Sequence, residues 1–278
     1  TSVVNISRTS IDSSVFNGPI DEVRVYNRAL SAAEIKGLYA RSAPEFRSKL
    51  NVSQTDFMKD GLVGFWSFDG KYVDWSQSTA EARDSSGTGN HGNVTNFSTE
   101  AARAGIVGQG LFFGGTNENV TLNSLTGFST GGSATWSLAG WVNPTVLSGQ
   151  QTIVAYGSNC TLGNGAAPTL GLNGSSWRVA TMGAGNILDV AGAVANQWSH
   201  MVGTGDASGN LRLYANGELI GGPFTPGDYS PTATAGRIGG NCEGTGANFF
   251  RGLIDEVRIY NKTLSAAEVL QLYNGSKH

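Results

Sequence analysis

The 278-residue sequence is poor in charged residues and in long apolar runs, and each scarcity excludes a class of protein. Charged residues make up 14% of the chain, and the formal net charge is -3. This balance offers no basic patch for nucleic acid or for an acidic membrane surface. No apolar run approaches the roughly 18 residues that cross a bilayer. We therefore expect no nucleic-acid partner and no membrane insertion in this segment.

Cysteine is equally scarce. The sequence contains two, Cys160 and Cys242, and each lies in a Gly/Asn-rich loop. They are either two unrelated exposed thiols or a disulfide that ties the two loops together. We favour the disulfide, which would stabilise the fold by roughly 4–5 kcal/mol on the loop-entropy model. A disulfide would place the protein outside a reducing cytoplasm, at an extracellular or cell-surface location.

Glycine and short alternating apolar runs are abundant. The chain has 40 glycines, and from residue 61 onward it carries segments such as LVGFWSF, ATWSLAGWV and NLRLYANG, separated by Gly/Asn/Ser/Pro turns. Alternation with a period of two indicates strands, and closely spaced short strands are typical of an antiparallel sandwich. The sequence therefore predicts an all-β domain.

The end of the sequence is duplicated near its start. Residues 18–39 and 252–273 are identical at 15 of 22 positions. Each copy reads as a strand, in which alternate residues point to opposite faces, followed by a short helix. In the second copy Ser265 and Glu268 have the spacing of a capping box at the helix start. The duplication therefore concerns a complete strand-and-helix unit.

The duplicated unit defines the predicted domain organisation. Two strands and a helix bury too little apolar surface to stand alone. We therefore expect residues 1–40 to be the C-terminal strands and helix of a preceding copy of the domain. Residues 41–60 form a linker, and residues 61–278 form one complete domain.

Several segments, in this order, resemble a known family: GLVGFWSFDG, VGQGLFFGGTNENV, WSLAGWVNP, LRLYANGE and GLIDEVRIYNKTLSAAEV. They are similar to the laminin-G-like (concanavalin A-like lectin/glucanase) jelly-roll domains of bacterial surface proteins. The resemblance spans nearly all of residues 61–274. It implies an all-β, antiparallel jelly-roll β-sandwich with a short C-terminal helix, here preceded by a partial copy of the same domain.

The patterns of catalytic residues are missing. Related jelly-roll glucanases use two glutamates that flank an aspartate on one strand, and no E-x-D-x-x-E spacing occurs here. Glu118 and Glu218 are isolated in turns, and His200 is expected to be a structural strand residue. The sequence therefore predicts that the chain is not an enzyme.

A structural calcium site is implied by the resemblance. Asp255 alternates with apolar residues on a predicted inward face, where an unpaired carboxylate is costly. In related jelly rolls the aspartate at this place binds calcium, and the matching further ligands here are Asp69, Asn117 and Asn119. Oxygen ligands of this kind suit Ca²⁺. Alternatively, Asp255 pairs with an arginine such as Arg258 or Arg237, or caps a turn.

Carbohydrate contacts are expected from aromatic residues near turns. Trp75 and Trp177 are the candidates for stacking on a sugar. The loops at residues 159–164 and 241–248 are candidates for a binding rim. Four other tryptophans lie in alternating strands and are expected in the core: Trp66, Trp136, Trp141 and Trp198.

Two functional hypotheses follow. The first is a non-catalytic extracellular laminin-G-like module of a tandem-repeat surface protein, with a role in adhesion or carbohydrate binding. Its partners would be a glycan or cell-surface ligand and adjacent copies of the domain. The second is a structural subunit of a surface polymer or filament, in which residues 1–40 complete or dock on a neighbouring sandwich.

Overall fold

The computed structural model describes residues 25–31, 58–75, 80–98, 100–129, 134–157, 168–181, 186–225, 235–240 and 248–276. The chain divides into two compact units, Thr1–Phe57 and Met58–His278. Within the first unit, residues 25–31 carry neither helix nor strand. The boundaries expected at residues 40 and 60 stay predictions.

The described part of the second unit consists mainly of short strands. They are β1 Leu62–Trp66, β2 Val73–Asp74, β3 Ala80–Ala82, β4 Gly92–Thr95, β5 Ala102–Ala104, β6 Gln109–Gly114, β7 Asn119–Leu122, β8 Trp136–Pro144, β9 Gln150–Tyr156, β10 Thr169–Asn173, β11 Ser176–Ala180, β12 Ile187–Ala191, β13 Ser199–Gly205, β14 Leu211–Ala215, β15 Glu218–Phe224, β16 Gly236–Ile238 and β17 Arg251–Tyr260. Helix α1, Ala266–Gly275, follows the last strand.

The strands form two antiparallel sheets. The first has the order β15-β14-β13-β8-β17-β6-β5, with β1 also beside β17. The second has the order β12-β11-β10-β9-β16-β7-β4-β3-β2. Alternate residues of both sheets point inward and bury one common core, which includes Trp66, Phe113, Leu138, Ile153 and Ile238. The predicted jelly-roll β-sandwich with a short C-terminal helix is confirmed.

Helix α1 covers the outer face of the first sheet. Its Val269 and Leu272 are buried together with Tyr260 and Leu264, against residues of β8, β13 and β14. The predicted capping box is present, since Glu268 N donates to Ser265 Oγ at 3.3 Å and Ser265 N donates to Glu268 Oε2 at 2.8 Å. No helix among the described residues is both long and apolar enough to span a bilayer.

Strand β17 changes partners halfway along its length. Residues 251–254 pair with β6, and residues 257–260 pair with β1. Opposite β8 the register shifts between Asp255 and Arg258, and Glu256 has a φ of 53°. Ile254 and Val257 both face the sandwich core, although a regular strand would place residues three apart on opposite faces. The strict alternation predicted for residues 253–260 is therefore wrong, because a bulge shifts its phase.

A polar loop closes the free edge of β1. Asp84 Oδ1 accepts from Phe65 N at 2.9 Å, while Thr88 Oγ1 and Asn90 Nδ2 donate to Val63 O at 2.6 and 2.8 Å. Burial alone would raise the pKa of Asp84, but hydrogen bonds from Phe65 and its own loop lower it below its usual value. Satisfied backbone groups leave this edge closed to further strands.

Candidate functional site

Two aspartates hold the turn between β5 and β6. Asp255 Oδ2 accepts from the amides of Ile106 and Val107 at 2.9 and 3.1 Å. Asp69 Oδ1 accepts from Gln109 N at 2.9 Å. A Cβ atom on the glycine at position 105 would collide with the Asp255 carboxylate. A Cβ on Gly108 would likewise collide with Asp69, so the glycines at the two ends of this turn allow the two carboxylates to approach its backbone.

Asp255 lies fully buried at the bulge of β17. Burial raises the pKa of Asp255 to about 7; the Val107 amide opposes this rise, and the charge of Glu256 adds to it. Its Oδ1 atom has no hydrogen-bond partner. Arg258 donates to Glu256 Oε2 at 2.7 Å and forms its ion pair there. Of the alternatives left open by the sequence, the structure shows Asp255 capping a turn.

The four predicted calcium ligands do not meet at one place. Asp69 and Asp255 hold the turn before β6, whereas Asn117 and Asn119 lie beyond its far end. A six-residue strand separates the two pairs by roughly 17 Å. The Asn117 carbonyl accepts from Asn119 Nδ2 at 3.1 Å, and Asn119 Oδ1 accepts from Thr121 Oγ1 at 3.0 Å. These contacts serve the hairpin itself.

The chemistry at Asp255 nevertheless fits a cation in part. Its buried, unpartnered Oδ1 is a hard oxygen of the kind that Ca²⁺ binds. Across the described ranges, no group of three or more His, Cys, Asp or Glu side chains is placed to hold a metal ion. Calcium therefore stays a prediction, now centred on Asp255 rather than on the four residues together.

The candidate stacking tryptophans lie mostly inside the sandwich. Trp177 is 2% exposed and belongs to the core. It cannot stack on a sugar here, because the alternation of β11 turns its ring into the core and places Arg178 on the opposite face, where Arg178 is buried in an ion pair with Asp189. Trp75 is half-buried and packs against the core. Cys160, Cys242 and the loop at 159–164 lie outside the described residues.

The tryptophans expected in the core are mostly there. Trp66, Trp136 and Trp141 are at most 3% exposed, and Trp198 is partly buried. His200 is buried in β13, with its ring 5.2 Å from Trp141 and 6.0 Å from Tyr273. Its position in the packing agrees with the structural role expected for it.

A cleft of about 360 Å³ opens at one end of the sandwich. Three segments form it: the β6–β7 hairpin, the β8–β9 loop and the residues that lead into β17. We refer to it as the rim cleft. Its lining consists of Gly115, Thr116, Val146, Ser148, Gly149, Gln150, Gln151, Asn248, Phe249 and Arg251. Only Asn248 belongs to a loop that the sequence suggested as a binding rim.

Local contacts fix the walls of the rim cleft. Gln151 is buried; its Oε1 accepts from Arg251 N at 2.9 Å and its Nε2 donates to Val146 O at 2.7 Å. The amide of Thr152 donates to Asn248 O at 2.8 Å. These bonds join the β8–β9 loop to the start of β17. Hydrogen bonds between these segments therefore hold the floor of the cleft together.

Phe249 gives the rim cleft its aromatic surface. The neighbouring Phe250 is fully buried in the core, and Phe249 is half-buried and lines the cleft. The double phenylalanine was visible in the sequence. However, the sequence could not show which of the two rings stays accessible.

Arg251 supplies positive charge at the same cleft. Its side chain is exposed, and its stem packs across Gly115, where an added Cβ would lie 2.9 Å from Arg251 Cβ. Gly115 has a φ of 81°, which favours glycine in this turn. The turn thus supports the arginine stem and leaves its guanidinium group at the cleft.

A second cleft, of about 330 Å³, lies beside the same hairpin. Arg103 sits 3.7 Å from the ring centre of Phe112, one of its aromatic residues. Glu118 folds back onto its own turn and accepts from Thr116 N at 3.0 Å. Because these groups already serve internal contacts, the rim cleft is the better candidate site.

Comparison with family models and curated proteins gives one match. The model described as the concanavalin A-like lectin/glucanases superfamily matches residues 113–270, more than half of the chain. The comparison with curated proteins gave no match.

Solved structures share the fold. Domain 4 of AbnA, a GH43 extracellular arabinanase from Geobacillus stearothermophilus in complex with arabinotriose, is 24% identical with a TM-score of 0.55, covering 76% of this chain and 98% of that one. Trypanosoma rangeli sialidase in complex with sialic acid is 20% identical with a TM-score of 0.55, covering 77% of this chain. This chain spans about a third (32%) of the sialidase chain.

These structures correct one prediction from the sequence. The prediction that the chain is not an enzyme is contradicted, because structures with the same fold come from a sialidase and an arabinanase. The fold is enzyme-related, although the likeness is at low identity and covers only part of the sialidase. The missing E-x-D-x-x-E pattern is specific to one group of jelly-roll enzymes and was too narrow a criterion.

Proposed function

This chain belongs to the concanavalin A-like lectin/glucanases superfamily, and on that premise we propose that it binds carbohydrate in the rim cleft. The observation that carries the proposal is the position of Phe249. Its ring lines a cleft together with the polar side chains of Gln150 and Asn248 and with Arg251.

The chemistry of the cleft suits a sugar. A pyranose or furanose ring presents apolar C–H groups on its faces and hydroxyl groups around its edge. An aromatic ring packs against the faces, and amide groups both donate to and accept from hydroxyls. A volume of about 360 Å³ falls within the range of small-molecule sites.

The solved neighbours support this ligand class. The arabinanase domain was solved with arabinotriose and the sialidase with sialic acid. Those ligands belong to those proteins. For this chain they support carbohydrate as the class, and they leave the particular sugar to experiment.

We further propose that the chain is part of an extracellular, tandem-repeat surface protein and that its carbohydrate binding serves adhesion. The support is the duplicated closing sequence at residues 18–39 and 252–273 and the two loop cysteines, Cys160 and Cys242. A bound calcium at Asp255 is part of the same proposal, supported by its unpartnered Oδ1.

A glycan array followed by calorimetry on the hits tests the proposal. Phe249→Ala should weaken binding roughly tenfold, because one aromatic contact is lost. Phe97→Ala, in the second cleft, is the matched control and should keep the affinity of the native protein.

Two results would contradict binding in the rim cleft. One is the absence of any glycan hit with calcium present. The other is equal affinity of Phe249→Ala and the native protein. Release of new reducing ends from a bound glycan would show that the site also hydrolyses its ligand.

A further inference from the structure

The first copy of the duplicated sequence exposes residues that the second copy buries. Val25 is 77% exposed and Tyr26 is 42% exposed. Their counterparts, Ile259 and Tyr260, are 0% and 1% exposed. The sequence is nearly the same in both places, so the difference in burial comes from the surroundings.

The buried counterparts are central to the second unit. Ile259 pairs with Leu138 of β8 and with Gly64 of β1, and it belongs to the sandwich core. Tyr260 belongs to the cluster that holds helix α1 on the sheet. Together β17 and α1 close the sandwich, and we refer to residues 252–273 as the closing unit.

Wherever the closing unit is buried, the two copies are identical or differ only by an exchange of valine and isoleucine. Eleven of its residues are buried, and nine of them are identical in residues 18–39. The other two are exchanges between valine and isoleucine, which preserve an apolar branched side chain. The five remaining differences, such as Leu270 for Lys36 and Gln271 for Gly37, fall on exposed or half-buried positions. This pattern is expected of a segment whose function requires the same burial.

The sandwich of the second unit has no place for a second closing unit. Its own β17 pairs with β8 on one side and with β6 and β1 on the other. The outer edge of β1 is covered by the loop of Asp84. To bury the same side chains in the same way, residues 18–39 would therefore need another sandwich.

We propose that residues 18–39 form an interaction segment that closes a concanavalin A-like sandwich lacking its own last strand and helix. The partner offers strands equivalent to β8 and β6 on either side of the gap. It also offers a turn with free backbone amides, like those of Ile106 and Val107, for Asp21, the counterpart of Asp255. Main-chain pairing supplies the binding, and the apolar side chains on the inner face select the register.

A full-length chain with a disabled closing unit tests this proposal. Ile254→Asp, Val257→Asp and Ile259→Asp introduce three charges at fully buried positions and leave the second unit without its own last strand. This disabled chain provides the incomplete sandwich. Residues 18–39, in the same molecule or in a neighbour, should close it and preserve a cooperative unfolding transition by tryptophan fluorescence.

A second variant carries Val25→Asp in addition to the three substitutions. It should lose that unfolding transition. A synthetic peptide of residues 18–39 should then restore it and slow proteolysis at least roughly tenfold. The same peptide with Val25→Asp is the matched control and should have no effect. Val25→Asp alone should leave the stability of the second unit unchanged.

Equal behaviour of the disabled chains with and without Val25→Asp would overturn the proposal. So would failure of the native peptide to protect the chain that carries all four substitutions. Neither result bears on glycan binding, which is measured on the intact protein.

Discussion

Replacing Asp255 with asparagine should remove the loss of stability that this carboxyl causes as the pH rises from about pH 4 to pH 7. In the folded protein burial raises the pKa of Asp255 to about 7. In the unfolded chain an aspartate titrates near pH 3.9. Between these values the native state holds a proton that the unfolded state has released.

The sign and size of the effect follow from this difference. The stabilisation is fully present below the unfolded pKa, and it is lost as the pH rises through the folded value. A gap of about three pKa units corresponds to about 4 kcal/mol of unfolding free energy. Asparagine does not titrate, and its Oδ1 can accept from the amides of Ile106 and Val107 as the carboxylate does.

Other carboxylates make stability depend on pH in a lower range. Hydrogen bonds outweigh burial at Asp84, Asp189 and Asp206 and lower the pKa of each. Their stabilisation is present above the unfolded pKa and is lost as the pH falls through the folded value. These carboxylates therefore contribute little to the slope between about pH 5 and pH 7.

Guanidinium unfolding followed by tryptophan fluorescence, with EDTA present and at pH values between about 5 and 8, measures this slope. As the pH rises across the interval, the native protein should lose more stability than Asp255→Asn does. An equal slope in the native protein and the variant would refute the reasoning. If Asp255 binds calcium, adding the ion should remove the difference between the two slopes, because a bound cation keeps the carboxylate ionised.

Three further predictions concern other parts of the fold. Asp189→Ala should cost about 3 kcal/mol of unfolding free energy, because it leaves the buried Arg178 guanidinium without its bidentate partner; a loss within error in denaturant titration would contradict this. Ser265→Ala should cost about 1 kcal/mol by removing the cap of α1, measured by thermal unfolding, with Ser148→Ala as the control. Cys160 and Cys242 should resist alkylation in the denatured protein until a reductant is added; labelling without reductant would exclude the disulfide.

Features that depend on neighbouring residues in the chain could be predicted well. Strand alternation indicated the sandwich, and the spacing of Ser265 and Glu268 predicted the capped helix. Both depend on backbone geometry over a few residues. Trp177 was misjudged because closeness to a turn was taken as exposure, whereas the alternation of β11 decided which way the ring points.

The candidate site could be predicted only in part. At the turn before β6, which is separate from the rim cleft, the sequence singled out Asp255 and Asp69, and the structure brings both there. For the rim cleft, the sequence suggested the loop that contains Asn248. Gln150, Phe249 and Arg251 carried no recognisable pattern, since their common location depends on three segments that are far apart in the chain.

The sequence by itself determined that this chain is an antiparallel sandwich and that its closing unit occurs twice. Those conclusions rest on periodicity and repetition, which are written in the order of residues. Only the tertiary structure decided that β17 bulges at Asp255 and that this carboxylate caps a turn 149 positions away along the chain. It also decided that Val25 is exposed whereas its counterpart, Ile259, is buried. The physical reason is that burial and hydrogen bonding depend on which strands become neighbours, and nearly identical segments can meet different neighbours.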